Sequence, residues 1–324
     1  MFDCFYLEPE NSLDVLIFGT SQTSSGVIPA VLYMEAGITS YNLSSNDSPV
    51  DAQYYWLRES LRYQTPEVVI INARYLLAHK HPSNNTEPRY RQALDPRRWS
   101  KDKAEDVYDV VSRFKDQTAL SYILPILRFH EVEFPYLEHN YTALSKLTRD
   151  LNKGVREVSK ATIMPQTRSS ELDDPAHDPD YTLTPDYLRK MINLCKENHI
   201  EVILLVLPDS ETHRTSTRIH NEMQSFADEN GVALLDYFYG GNDLAVGIDY
   251  NIDFFNSNHL NINGSTKITR SIAEYLTANY SLMDHRLNQT DPNWEEVLAS
   301  YYSIVQQYNE NLRLLEDTDT GSRE

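Results

Sequence analysis

The sequence predicts an α/β protein: a doubly wound, mostly parallel sheet of five strands with helices on both faces. Two observations carry this reading. Short, wholly apolar runs recur along the chain, and stretches with helical spacing separate them. Strands alternating with helices require right-handed crossovers, which make neighbouring strands parallel.

Asp14-Val15-Leu16-Ile17-Phe18 reads as a buried first strand ending at Gly19. Ile28 to Ala36 reads as a helix closed by Gly37, the residue type that most cheaply adopts a left-handed cap. Ile38 to Leu43 is the second strand, and the polar Ser44-Ser45-Asn46-Asp47-Ser48-Pro49 loop follows it. A helix over Asp51 to Tyr63 sets Tyr54, Leu57 and Leu61 on one face. Val68 to Ile71 is the third strand. Further on come a helix over Tyr187 to Asn198 and a strand over Val202 to Leu207, stopped by Pro208. A helix over Thr215 to Asn230 ends at Gly231, before a short fifth strand, Val232 to Leu235, and a closing helix, Thr266 to Asn279.

Between about 78 and 182 this rhythm breaks, with helical patterns near 104–127 and 139–152. That stretch is read as an insertion over the strand ends, within a single domain spanning 1–285. Residues 286–324 then supply an amphipathic helix, Trp294 to Leu315, and an acidic tail from Glu316. Glu171 to Asp180 and that tail read as solvated or mobile.

The 48 acidic and 29 basic residues give a formal charge of −19, which repels phosphate backbones and excludes a nucleic-acid role. Cys4 and Cys195 form no metal-type spacing and read as idle thiols. His79 and His81 have no nearby carboxylate to complete a metal site, and no cofactor motif is visible, so neither metal nor cofactor is expected. The chain opens only a few residues before its first strand, as would a protein whose anchor precedes it or a plain cytoplasmic one.

Ligands of doubly wound sheets bind beyond the carboxyl ends of the strands. Gly19-Thr20-Ser21-Gln22 lies at such an end, where a serine on a tight strand-to-helix turn is either a nucleophile or a helix cap. Asn256-Ser257-Asn258-His259-Leu260-Asn261 precedes the closing helix and offers His259 as a base. Serine after the first strand and histidine before the last helix is a specific pairing.

At these residues the chain resembles a bacterial SGNH/GDSL-hydrolase-like family related to the D-alanine transfer protein of lipoteichoic-acid D-alanylation. The similarity runs through Phe5 to Gln22, Ser40-Tyr41-Asn42-Leu43, Pro125 to His130, His259 to Gly264 and Met283 to Trp294. The resemblance implies a flavodoxin-like SGNH hydrolase fold and an extracytoplasmic enzyme, held by an N-terminal membrane segment absent from this chain. It would move or remove acyl groups on a cell-surface glycopolymer, with Ser21 as nucleophile and His259 as base. Asn46, Asn72 and Arg74 are the expected oxyanion donors, and Arg128 and His130 are candidates for holding substrate.

The chain departs from the family where the acidic triad member belongs, three residues before the histidine, because Asn256 stands there. Three readings follow. Asn256 orients the histidine as in Cys-His-Asn enzymes, Asp253 or another acid substitutes, or the site is disabled. The expected function is therefore an esterase or O-acyltransferase acting on teichoic acid or exopolysaccharide. Its alternative is an impaired relative that presents polymer or acyl donor to a membrane-bound O-acyltransferase.

Overall fold

The computed structural model describes residues 2–79, 87–114, 118–124, 150–155, 161–168, 181–183, 185–210, 217–287 and 293–321. Five strands form the central sheet: β1 (Val15–Phe18), β2 (Ser40–Asn42), β3 (Val68–Asn72), β6 (Glu201–Val206) and β7 (Ala233–Asp236). Their order is β2-β1-β3-β6-β7, and every neighbouring pair is parallel. The chain winds one way from β1 to β2 and the other way from β3 onward, so a crevice opens beyond β1 and β3.

Side-chain alternation along these strands feeds two cores. Leu16, Phe18, Val69, Ile71, Val202 and Leu204 face one side. There they meet Trp56 and Leu57 of α4 (Val50–Ser60) and Leu188, Met191 and Ile192 of α8 (Pro185–Glu197). Met223 and Phe226 of α9 (Thr217–Asn230) complete that layer. Val15, Ile17, Val68, Ile70, Ile203 and Leu205 face the other side, against Leu32 of α3 (Pro29–Ala36) and Ile268, Ile272 and Leu276 of α11 (Ile262–Asn279). Continuous apolar runs are the signature of strands covered on both faces.

Helix α3 is apolar nearly all round because it is packed on two sides. Leu32 meets the sheet, while Val31 and Tyr33 meet the C-terminal helix α12 (Asn293–Gly321), where Tyr33 stacks on Trp294 with centroids 4.6 Å apart. Pro29 occupies its first turn, and Gly37, at φ 70°, closes it with its N–H on the Tyr33 carbonyl. The acidic tail is helical, since α12 runs on through Gly321, and Glu316 and Asp317 are exposed as expected.

The insertion is closed by an antiparallel ladder that the sequence did not disclose, β4 (Leu77–His79) on β5 (Tyr181–Leu183). Its first part forms α5 (Glu87–Leu94), α6 (Lys101–Arg113) and α7 (Ala119–Ile123). These helices pack on the flank of α4, and Arg89 of α5 reaches Asp47 in the loop beyond β2 at 3.0 Å. Leu94, Val107, Val110 and Tyr122 join the core around Trp56, whose indole donates to the Ala93 carbonyl at 2.9 Å. Residues 139–149, Glu171 to Asp180 and His81 lie outside the described residues. Short helices α1 (Phe2–Phe5) and α10 (Asn242–Ala245) lie among the described residues as well, with the hairpin of β8 (Phe254–Asn256) and β9 (His259–Leu260) before α11.

One helix forms against its own propensity. The segment of α2 (Ser21–Gly26) reads Ser-Gln-Thr-Ser-Ser-Gly, poor in helix formers. Tertiary hydrogen bonds supply what propensity lacks. Buried Asn42 donates to the Thr23 and Val27 carbonyls at 2.9 and 3.0 Å, and its own carbonyl accepts the Ser44 N–H at 3.1 Å. Replacing it by alanine orphans the Val27 carbonyl and the Ser44 N–H, each at about 1–3 kcal/mol when buried, while the Thr23 carbonyl keeps the Val27 N–H at 3.2 Å. Asn42→Ala is therefore expected to lower unfolding free energy by at least about 2 kcal/mol in urea titrations; a loss under about 0.5 kcal/mol would contradict this account.

Both cysteines are free, and burial pushes the Cys195 thiol up to about 12. A thiol so far above neutral pH holds almost no thiolate. Iodoacetamide at pH 8 should leave Cys195 unmodified in the folded protein and alkylate it after denaturation, as read by peptide mass mapping.

Candidate active site

The turn after β1 is shaped by crowding. A Cβ at Gly19 would stand 2.3 Å from the Thr23 hydroxyl, so the chain passes close to its own next turn. Thr20 is the N-cap of α2 and makes no side-chain capping bond. Ser21 is thus the first helical residue, and its hydroxyl is not used as a cap. Its Oγ lies 2.8 Å from His259 Nε2.

His259 comes from the β8–β9 hairpin, which places it opposite Ser21 at the carboxyl edge of the sheet. Its ring stacks on Phe255 with centroids 5.3 Å apart. Its Nδ1 stands 2.8 Å from Asn256 Oδ1. The same oxygen accepts the backbone N–H of Asn258 at 2.9 Å, which settles which end of the Asn256 amide faces the ring. A carbonyl oxygen can only accept, so Nδ1 carries the imidazole proton. Nε2 is then the bare nitrogen, and the Ser21 hydroxyl donates to it. The three residues form a connected relay in the tautomer that a general base requires.

Asp253 does not take the place of the missing acid. It is fully buried and engaged elsewhere: Lys267 Nζ at 2.7 Å, Asn263 Nδ2 at 2.6 Å and the Asp249 N–H at 2.6 Å.

The expected oxyanion donors fall in different situations. Asn46 is half-buried in the turn after β2, which is drawn beside the Ser21 turn by the Ser45 N–H on the Gly19 carbonyl at 3.0 Å. Asn72 is committed to that turn. Its Nδ2 donates to Thr23 Oγ1 at 2.9 Å, with Thr20 Oγ1 at 3.4 Å, and its carbonyl accepts the Arg74 N–H. Arg74 is different. The β1–β3 register pairs Phe18 with Ile71, so Ser21 and Arg74 each leave the sheet three residues past a paired position, on adjacent strands. Arg74 Nη2 lies 2.7 Å from Asp209 Oδ2, yet Nε and Nη1 are buried with no hydrogen-bond partner. Arg128 and His130 lie outside the described residues.

Sequence reasoning missed Gln22, Asp209 and Ser210. Gln22 Nε2 donates to Asp209 Oδ2 and to the Asn258 carbonyl, both at 3.0 Å. Ser210 donates through its N–H and its hydroxyl to the Ser257 carbonyl. Leu207-Pro208-Asp209 held the available signal, an acid immediately beyond the carboxyl end of a central strand.

No protein-family model matches the chain, and no curated protein matches its sequence. Among solved structures the chain is similar to a proposed acylhydrolase from Bacteroides fragilis, at 12% identity and a TM-score of 0.36 over 84% of this chain and 90% of that one. It is also similar to a catalytic mutant of Axe2, an acetylxylan esterase from Geobacillus stearothermophilus, at 12% identity and 0.37 over 82% and 94%. A second variant of that esterase aligns at 13% identity and 0.37 over 85% and 98%.

Proposed function

We propose that the protein is a serine-dependent esterase or O-acyltransferase acting on acyl groups of a bacterial cell-surface polymer, teichoic acid or exopolysaccharide. The observation that carries the reading is the continuous Ser21–His259–Asn256 relay, 2.8 Å at each link, with the ring nitrogen facing serine unprotonated. Ser21 Oγ attacks the acyl carbonyl carbon while His259 Nε2 takes its proton. The tetrahedral oxyanion collapses, the C–O bond to the leaving alcohol breaks, and His259 returns the proton to that alcohol. Water or a polymer hydroxyl then attacks the acyl-serine, with His259 again accepting the proton, and the acyl–Oγ bond breaks as His259 returns that proton to Ser21. The choice of water or sugar hydroxyl separates esterase from transferase.

Arg74, whose buried Nε and Nη1 are unspent as donors, supports a role in holding a substrate oxygen near Ser21. The polymer class, an extracytoplasmic location and an N-terminal anchor rest on the sequence resemblance. No helix among the described residues is long and apolar enough to cross a membrane. The second reading, a polymer-presenting partner of a membrane-bound O-acyltransferase, is favoured by one observation: the amide at 256 carries no charge to steady the imidazolium.

Intact-mass analysis after exposure to a fluorophosphonate separates the two. One adduct is expected on the parent protein and none on Ser21→Ala; an unlabelled parent protein would favour the presenting role. Because Asn256 already holds the productive tautomer, Asn256→Asp should gain only what a charge-assisted hydrogen bond adds. Over the neutral bond already present that is about 1–1.5 kcal/mol, or roughly 5–13-fold in labelling rate. A gain near 10⁴-fold, the scale seen when an asparagine imposes the wrong tautomer in a serine protease, would contradict the tautomer assignment.

A further inference from the structure

We infer that Gln22 is a positioning residue that sets the spacing between Ser21 and His259. The inference rests on the reading of those two residues as nucleophile and base. Gln22 follows the nucleophile directly in sequence and is buried. Its single amide nitrogen spends both protons, one on Asp209 Oδ2 and one on the Asn258 carbonyl, each at 3.0 Å. Two acceptors facing the same atom also fix which end of the amide is nitrogen.

The Asn258 carbonyl is bonded to the backbone nitrogen of His259, so holding it holds the base. The N–H of the same residue donates to Asn256 Oδ1, the oxygen that orients the imidazole. One residue's main chain therefore connects Gln22 to both the place and the tautomer of His259. The neighbouring carbonyl is held from the same direction, since Ser210 donates to Ser257 O through its N–H at 2.9 Å and its hydroxyl at 3.0 Å. Asp209 and Ser210 are consecutive, and Asp209 is held by Arg74 at 2.7 Å. The loop beyond β6 thus braces the histidine loop twice, once directly and once through Gln22. The direct brace does not reach the nucleophile. The Gln22 brace does, because Gln22 and Ser21 share a peptide bond at the start of α2.

Removing it frees the nucleophile turn to move relative to the base, and a displacement of about 1 Å is worth roughly 10²-fold in rate. Gln22→Met is nearly isosteric and has no donor. It is expected to slow fluorophosphonate labelling about 100-fold and to move the His259 imidazole ¹⁵N resonances, assigned with His259→Ala, away from their wild-type positions. Gln22→Glu supplies the signature that a merely structural role would not. At pH 8 its carboxylate faces Asp209 and a carbonyl, acceptors only, and labelling is lost. The neighbouring carboxylate raises the pKa of the introduced group. As pH falls and that group takes up a proton, one donated bond returns, so the variant-to-wild-type ratio rises toward acid.

Labelling of Gln22→Met within threefold of wild type, with unmoved His259 resonances, would overturn the inference and leave the serine reading intact. A flat Gln22→Glu ratio would overturn it as well. A wild-type protein that does not label removes the serine reading instead. The His259 resonances then decide the spacing role alone: moved in Gln22→Met supports it, unmoved rejects it.

Discussion

An amide oxygen can accept a hydrogen bond but never donate one, and the chemistry of this site depends on that constraint at Asn256. Had its nitrogen faced His259, the imidazole would carry its proton on Nε2, against the Ser21 hydroxyl, and the serine would have no base. The Asn258 N–H prevents this by claiming the oxygen from the other side. A single backbone donor thereby determines the protonation pattern of a side chain it never touches. Asparagine here preserves geometry and tautomer and surrenders only charge.

The sheet makes such fine placement possible because it delivers the parts at one level. Ser21 leaves β1, Arg74 leaves β3 and Asp209 leaves β6, three adjacent parallel strands whose registers are set by apolar pairs inside. The fragile part is α2, which its own composition would not fold. Asn42 and Asn72 from the flanking strands, with Thr269 Oγ1 accepting the Ile28 N–H at 3.0 Å, hold it in place. Buried polar groups with partners rigidify a site and are costly when one partner is lost. The asparagine at the end of β3 stabilises the Ser21 turn by this route, with both ends of its amide engaged.

The architecture was legible in sequence because its signals are local. Runs such as Val68 to Ile71 are apolar at every position, which marks a strand covered on both faces, and Gly37 and Gly231 punctuate helix ends. The Ser21 and His259 pairing was legible from chain order. What escaped is non-local. Ladder β4–β5 joins segments about a hundred residues apart, and its three-residue strands carry too little pattern to be recognised. The flank position of α5 to α7 follows from Trp56 and Leu57, whose exposed-looking partners lie far along the chain. The role of Gln22 was illegible for the same reason. A glutamine after a serine says nothing until a carboxylate 187 positions away and a carbonyl 236 positions away arrive beside it.

Charge accounts for why an amide suits position 256. Three fully buried carboxylates already crowd the loops around His259: Asp209, Asp243 and Asp253. Each has a cation within 2.7 Å, respectively Arg74, Arg168 and Lys267. A buried carboxylate without such a partner is costly. An aspartate at 256 would be a fourth acid, with an imidazole and the Asn258 N–H as its partners where the other three have a lysine or arginine. The amide avoids the cost of a further buried carboxylate. With three acids each matched to its own permanent cation, the neutral residue falls at the position that faces an imidazole.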